Sequence, residues 1–379
     1  MKILVAPDSF KGSLSAMEVA RNIKEGILNA VSQAEIYTLP MADGGEGTVQ
    51  SLVDATDGEL INQQVTGPLG EPVEAYLGIL GTENTAIIEM AAASGLPLVP
   101  ADRADPRKTT SYGTGELIKA ALDRGVDKII IGLGGSATMD AGVGMAQALG
   151  ISFQDMNGNE VAFGGEQLAS IKRIDVSNLD KRLKTVQVIA ASDVSNPLYG
   201  QEGAAYVFGP QKGATLEIVE FLDNCFRYFA GVVKTELGQQ VDDIIGGGAA
   251  GGMGVGLSVF LNATIKSGID LVLDITGIDD YLREVNLVIT GEGKIDRQTL
   301  MGKTPLGVAR RAKKYKLPVI AIAGSLENDS HQVVESGIDV IFSICQRPVT
   351  MDEAIDNTAR WIKLTSEQIM RELLIKNRK

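Results

Sequence analysis

The sequence predicts an α/β protein, built as a doubly wound parallel-sheet domain interrupted by an inserted second α/β domain. Three observations carry this reading. Apolar β-type runs followed by amphipathic helical patterns recur at residues 3–6, 36–39, 129–131, 287–290, 319–323 and 340–344, the alternation expected of parallel βα units. The clearest units lie at the two chain ends, so one domain closes across the ends and another is inserted between them. The length of 379 residues exceeds one comfortable domain. The expected partition is 1–62 plus 281–379 for the interrupted domain and 63–280 for the insert, with residues 101–150 assignable to either.

The elements follow in order. Lys2-Ile3-Leu4-Val5 is a first strand whose end delivers Ala6-Pro7-Asp8-Ser9-Phe10-Lys11-Gly12-Ser13 to a helix. Ser15 and Glu18 mark the start of that helix with the S-x-x-E spacing of a capping box, and Val19, Ile23 and Ile27 line one of its faces. Residues 60–89 read as short β runs broken by Gly67-Pro68-Leu69-Gly70 and Gly81-Thr82-Glu83-Asn84, a meander. Strand signals at 186–191 and 271–275 flank a long helical pattern at 216–237. The glycine-rich run 246–254 reads as a hinge or ligand-facing loop, unlike a hydrophobic helix. A long amphipathic helix is expected from about 351 to 375.

With 48 acidic against 35 basic residues the net charge is −13, so nucleic-acid backbones and anionic membranes are repelled and are not expected partners. An anionic substrate would need a local cationic pocket. Cys225 and Cys345 are the only cysteines, too few for a disulfide framework or zinc cluster. No signal-peptide h-region and no bilayer-length apolar run is found, so a cytoplasmic protein is expected, as a monomer or homodimer. The single histidine, His331, lies in a polar turn and reads as an exposed loop residue. Serine–histidine triads and histidine-rich metal sites are therefore set aside. Acid–base chemistry falls to Asp, Glu or Lys, and a metal would be a hard, oxygen-ligated ion such as Mg²⁺.

Four glycine-rich, carboxylate-bearing loops follow β-type runs, at residues 6–13, 42–48, 132–140 and 290–305, and together they look like a phosphoryl-transfer site. The first brings Asp8, Ser9, Lys11 and Ser13 to a strand end, where open α/β sheets bind ligands. The second, Asp43-Gly44-Gly45-Glu46, reads either as a ligand-approach loop or as a capped helix terminus. The third, Gly132-Leu133-Gly134-Gly135-Ser136-Ala137, has the G-x-G-x-x-A form and opens a helical segment. It reads as a phosphate or substrate cradle, a dinucleotide turn or a purely structural turn. Thr138 and Asp140 favour phosphate. In the fourth, Gly302-Lys303-Thr304 resembles the end of a Walker A loop, but the position needing its first glycine is Arg297 and the P-loop reading fails. What remains is Gly291-Glu292-Gly293-Lys294-Ile295-Asp296 and Lys303 at a helix start, able to hold Mg²⁺ and polyphosphate or to be ordinary solvated charges. Asp193, just past the run 186–191, is a candidate base or metal ligand, or a turn former.

These residues together resemble the glycerate kinases of the first family, bacterial two-domain enzymes distinct from the GHMP and P-loop kinases. The resemblance covers essentially the whole chain and rests on the ordered set APDSFKGSLSA (6–16), ADGGEGT (42–48), VTGPLGEPV (65–73), IEMAAASGL (88–96), TTSYGTGELI (109–118), GLGGSATMDAG (132–142), FGPQKGA (208–214), AAGGMG (249–254) and TGEGKID followed by GKTP (290–305). It implies ATP- and Mg²⁺-dependent phosphorylation of D-glycerate, usually at the 2-hydroxyl, and a flavodoxin-like domain interrupted by the insert. Met139, Ala141, Ser192 and Lys294 stand where asparagine, glycine, cysteine and arginine are common in that family. In this frame Asp193 or Asp8 is the base, with Lys11 and Lys303 as electrostatic clamps. Ser9, Ser13, Gly134, Gly135, Ser136 and Thr138 contact substrate. Asp43, Gly44, Gly45, Glu46, Gly293 and Lys294 contact nucleotide, and Glu292 and Asp296 hold metal.

Overall fold

The computed structural model describes residues 1–296, 299–327 and 331–376. The chain divides into two compact units: Met1–Asp43, Gln50–Asp57 and Gly268–Lys379 form the first, Gly44–Val49 and Gly58–Ser267 the second. It opens with β1 (Lys2–Val5), α1 (Ala16–Ala30), β2 (Glu35–Thr38) and α2 (Thr48–Thr56). Next come β3 (Glu59–Thr66), β4 (Pro72–Ile79), β5 (Thr85–Glu89), α3 (Met90–Ser94), α4 (Tyr112–Asp123), β6 (Lys128–Gly132), α5 (Val143–Ala148), β7 (Ser152–Gln154) and β8 (Arg173–Asp175). β9 (Gln187–Ala191), α6 (Ala204–Phe208), α7 (Leu216–Leu237), α8 (Ala249–Leu261) and β10 (Thr264–Lys266) complete the second unit. The chain returns through α9 (Gly268–Ile275), α10 (Ile278–Leu282), β11 (Leu287–Ile295), α11 (Thr304–Lys313), β12 (Val319–Leu326), α12 (His331–Glu335), β13 (Val340–Ser343) and α13 (Met351–Lys376).

In the first unit the sheet order is β13-β12-β11-β1-β2 with every pair parallel. Counted within this unit alone, that is the flavodoxin-like 2-1-3-4-5 order, whose switch point falls between β1 and β11. Ile3, Val5, Ile289, Ile320 and Ile322 of the sheet bury against Val19, Ile23 and Ile27 of α1 and against Ile362, Ile369 and Met370 of α13. Ser15 and Glu18 close both halves of the capping box that starts α1. α1 and α13 touch backbone to backbone at Gly26, where an added Cβ would lie 2.2 Å from the Lys363 carbonyl oxygen. Only glycine permits that approach.

The second unit carries a six-stranded sheet, β10-β9-β6-β5-β4-β3. β3, β4 and β5 pair antiparallel, the expected meander, while β5, β6, β9 and β10 are parallel. α7 buries Leu222, Phe226, Phe229 and Val233 in this unit's core.

Several local expectations are corrected. Residues 271–275 are helical, in α9, where Ile269, Val272 and Leu273 are buried with helical spacing; a short apolar run does not distinguish strand from helix. α9 and α10 belong to the first unit, since Ile269 meets Gly307 and Arg311 pairs with Asp274 and Asp279 at 2.6 and 2.7 Å. Residues 59–62, expected in the interrupted domain, pair in the sheet of the second. The glycine run enters α8, but Ala250, Gly251 and Gly252 have positive φ, so regular helix begins only after them. β11 extends through Ile295 where a loop was expected, because Glu292 and Lys294 find partners Ala323 and Ser325 on β12. Of the polar turn at 327–331, Asn328, Asp329, Ser330 and the His331 side chain lie outside the described residues.

Candidate active site

β1 and β11 lie side by side at the switch point, and their C-terminal ends, with the segments that follow them and β2, gather most of the candidate residues. Asp8, Ser9, Lys11, Ser13, Asp43, Glu292, Gly293, Lys294, Asp296 and Lys303 line one cavity of about 500 Å³ in the first unit. The loop after β1 is fastened to β11 by the Asp8 amide, which donates to the Gly291 carbonyl at 2.8 Å.

Asp8 is 6% exposed. Its Oδ1 accepts from the Ser9 amide at 2.6 Å and its Oδ2 from the Thr304 hydroxyl at 2.6 Å. Burial, reinforced by the negative Asp43, pushes its pKa up to about 6, against the opposing pull of Thr304, Ser9 and Lys11. Glu292 is also buried, and its Oε1 accepts from the Thr299 hydroxyl at 2.5 Å. Burial pushes it up to about 7, with Asp8 and Asp296 adding repulsion and Thr299 and Lys303 opposing it. Two carboxylates that ionise near neutrality therefore share one cavity, a common signature of functional sites.

The cationic side is divided. Lys294 is exposed and pairs with Glu327 at 2.5 Å and Asp296 at 3.6 Å. Lys303 caps α11, and Pro305 in its first turn costs no intrahelical hydrogen bond. Ser13, expected to meet substrate, donates its hydroxyl to the Ile355 carbonyl on α13 at 3.2 Å. Thr304 was not singled out as a contact residue, although it stands inside the GKTP motif. Its separation from Asp8 in sequence hid the pairing.

The acids gathered here offer oxygen ligands, and the mutual repulsion of Asp8, Asp43, Glu292 and Asp296 is what a hard divalent cation would relieve. Among the described residues no three His, Cys, Asp or Glu side chains are grouped to hold an ion. The fit is thus to a cation held by one or two carboxylates and completed by phosphate oxygens and water, the usual Mg²⁺ arrangement.

The remaining candidates lie on the second unit. Gly44 and Gly45 pack on the loop after β6: a Cβ at Gly132 would stand 2.3 Å from the Gly44 carbonyl oxygen, and one at Gly134 would stand 2.9 Å from Gly45 Cα. Two glycine loops that looked separate in sequence are one packed feature. Glu46 is exposed. At the start of α2 the Val49 amide donates to buried Glu89 at 2.8 Å.

The segment 132–137 does not open a helix directly, because α5 starts only at Val143. The dinucleotide geometry is therefore absent. Gly134 and Gly135 are exposed, whereas Ser136 and Thr138 are buried. Lys212 Nζ donates to Ser136 Oγ and to the Thr138 carbonyl, both at 2.8 Å. Burial depresses the Lys212 pKa to about 7, with Asp140 pulling the other way. This lysine was not among the sequence candidates, though it stands in FGPQKGA. Asp140 faces inward, accepting from the Ser111 amide and hydroxyl at 2.8 Å and from the amides of Gly142 and Gly144 at 3.2 and 3.3 Å. Its oxygens organise the loop from within. Asp193, two residues beyond β9, is exposed.

No helix among the described residues is long and apolar enough to cross a membrane. Residues 3–374 match the family described as the Glycerate kinase family. The chain is 52% identical over 369 residues to the glycerate kinase of Bacillus subtilis (strain 168), covering 97% of each chain. It is 52% identical over 364 residues to the glycerate 2-kinase of Escherichia coli (strain K12), covering 95% of this chain and 96% of that one. A crystal structure assigned as glycerate kinase 2 from Salmonella typhimurium LT2 superposes with a TM-score of 0.92 at 48% identity, covering all of both chains.

Proposed function

We propose that this chain, which belongs to the glycerate kinase family, transfers the γ-phosphoryl group of ATP to the 2-hydroxyl of D-glycerate in a Mg²⁺-dependent reaction, giving 2-phosphoglycerate. The enzyme is a phosphotransferase with an alcohol group as acceptor. The observation that carries the finer reading is Asp8, a buried carboxylate with its pKa raised to about 6, lining the same cavity as Lys11, Lys303 and Glu292.

Phosphoryl transfer relies chiefly on positioning and charge neutralisation. Asp8 ionises near neutral pH and receives the hydroxyl proton as the acceptor oxygen attacks. The hydrogen bonds from Ser9 and Thr304 hold its carboxylate in one orientation. Lys11 and Lys303 supply positive charge for the phosphate oxygens. Glu292 and Asp296 are the proposed metal ligands, and bound Mg²⁺ would neutralise charge on the transferred group. Ser9 serves the substrate. Ser13 does so only if its hydroxyl leaves the Ile355 carbonyl. Asp193 is the rival base. The enzyme is read as a cytoplasmic monomer or homodimer.

The test is ADP production from ATP, Mg²⁺ and D-glycerate, coupled to enolase without phosphoglycerate mutase. ADP with phosphoenolpyruvate is expected. ADP alone would assign the 3-hydroxyl instead, and no ADP would sink the proposed substrate and turn the search to other hydroxy acids or to a non-catalytic sensor.

A further inference from the structure

α13 begins at the rim of the cavity in the first unit. Its first two turns send Met351, Ala354, Ile355 and Thr358 into the lining, the i, i+3, i+4, i+7 stripe of a single helix face. Met351 is 74% exposed and Ile355 38%, so two large apolar side chains stand uncovered on a concave wall. Phe10 and Ile344 continue that wall. It is braced by the Ser13 hydroxyl, which donates to the Ile355 carbonyl at 3.2 Å. The cavity therefore combines a charged end around Asp8, Lys11, Glu292 and Lys303 with an apolar end on α13.

We infer that the apolar end is the seat of the purine base of the nucleotide, with its phosphates directed toward Lys11 and Lys303. This assignment rests on the ATP-dependent reading above. The chemistry of the two substrates separates them. Glycerate bears oxygen on every carbon and has no apolar face to bury, whereas a purine has two, and a flat heterocycle against aliphatic side chains is a normal binding mode. Charge sets the direction of the nucleotide. The first turn of α13 carries Asp352 and Glu353, whose negative charge opposes phosphate at that helix end, while Lys11 and Lys303 of the same lining offer it positive charge. A cavity of about 500 Å³ is within the range of roughly 300–1,000 Å³ usual for small-ligand sites.

The experiment compares wild type with Ala354→Phe, which fills the apolar end, and Ile355→Ser, which strips it. Both variants are first checked for folding by near-UV circular dichroism. Binding of adenosine, of ATP and of inorganic tripolyphosphate is measured by ligand-observed NMR competition, alongside KM for ATP and for D-glycerate. Adenosine and ATP binding should weaken about tenfold or more in Ala354→Phe and measurably in Ile355→Ser, while tripolyphosphate affinity and the glycerate KM stay within about twofold. Unchanged adenosine and ATP binding in either folded variant would overturn the inference. So would a raised glycerate KM with adenosine unaffected, which would hand the apolar end to the acceptor. Should glycerate phosphorylation itself fail, the proposed reaction falls while the adenosine measurement still decides the base site.

Discussion

The Thr304 hydroxyl, on the first residue of α11, donates to Oδ2 of Asp8 at 2.6 Å, across 296 positions of sequence. This bond favours the ionised carboxylate and so restrains a pKa that burial and Asp43 drive upward. Removing it with Thr304→Val should raise the Asp8 pKa further. If Asp8 is the base, the acid limb of the kcat/KM profile, expected near pH 6, will move to higher pH, and Thr304→Ser will restore it. Asp8→Asn should lower kcat by a factor on the order of 10² to 10⁴ with little change in the glycerate KM. A near-normal kcat in that variant would pass the role to Asp193.

Glu292 and Asp8 tie function to stability in a second way. Their folded pKa values, about 7 and about 6, lie above the ordinary 4.5 and 3.8. The folded state thus holds these protons more tightly than the unfolded chain. Their stabilising contribution is full below about pH 4 and is lost as pH rises through about 6 to 7. Glu292→Gln should therefore raise the melting temperature of the ligand-free protein at pH 8, by a free energy on the order of 2 kcal/mol, and flatten its pH dependence. The same variant should need more Mg²⁺ for half-maximal activity. Equal melting curves at pH 8 would mean that Glu292 is not strained by burial.

Lys212 shows the opposite linkage. Its folded pKa of about 7 is below the ordinary 10.5, so the unfolded chain takes up a proton that the folded one lacks. Stability from this group rises between about pH 7 and 10.5. Lys212→Met should abolish that rise, and the difference in melting temperature between wild type and variant should grow steadily from pH 7 to 9.5. Because Lys212 bonds to Ser136 and Thr138, amide exchange in residues 132–141 should also accelerate. A pH-independent difference would show that the lysine stays charged when buried.

Ala141 stands where the resemblance to the family implies glycine, and its φ is +52°. An L-residue with a Cβ is disfavoured in that region by roughly 1–2 kcal/mol. Part of this returns to the unfolded chain when glycine is introduced. Ala141→Gly should still raise the melting temperature by about 1 to 3 °C, as read by differential scanning calorimetry. An unchanged or lower value would show that contacts of the Ala141 methyl outweigh its backbone strain.

The candidate site was legible where chemistry sits next to strand ends. Asp8, Lys11, Glu292 and Lys303, which line one cavity, stand out in the sequence because acids and lysines in glycine-bearing loops near apolar runs are a local pattern. Lys212, Thr304 and the α13 stripe were not among the sequence candidates. A lysine between Gln211 and Gly213 resembles any surface charge until the fold buries it, and Met351, Ala354 and Ile355 resemble any amphipathic helix face until a cavity lies against it. Asp140 failed in the reverse sense: its place in a glycine loop suggested a ligand, but its oxygens are used by Ser111, Gly142 and Gly144.

By itself, the sequence determined the βα alternation, the capping box at Ser15, the meander and the loops that bear charge. These depend on hydrophobic period, turn residues and capping, which act within a few residues. The tertiary structure decided that 271–275 coil into α9 and that β11 runs on to Ile295. It also decided that Thr304 restrains Asp8 and that Lys212 is buried. Each depends on which distant strand or helix supplies the partner, and the strand order that sets β1 beside β11 is a property of the assembled sheet rather than of any segment in it.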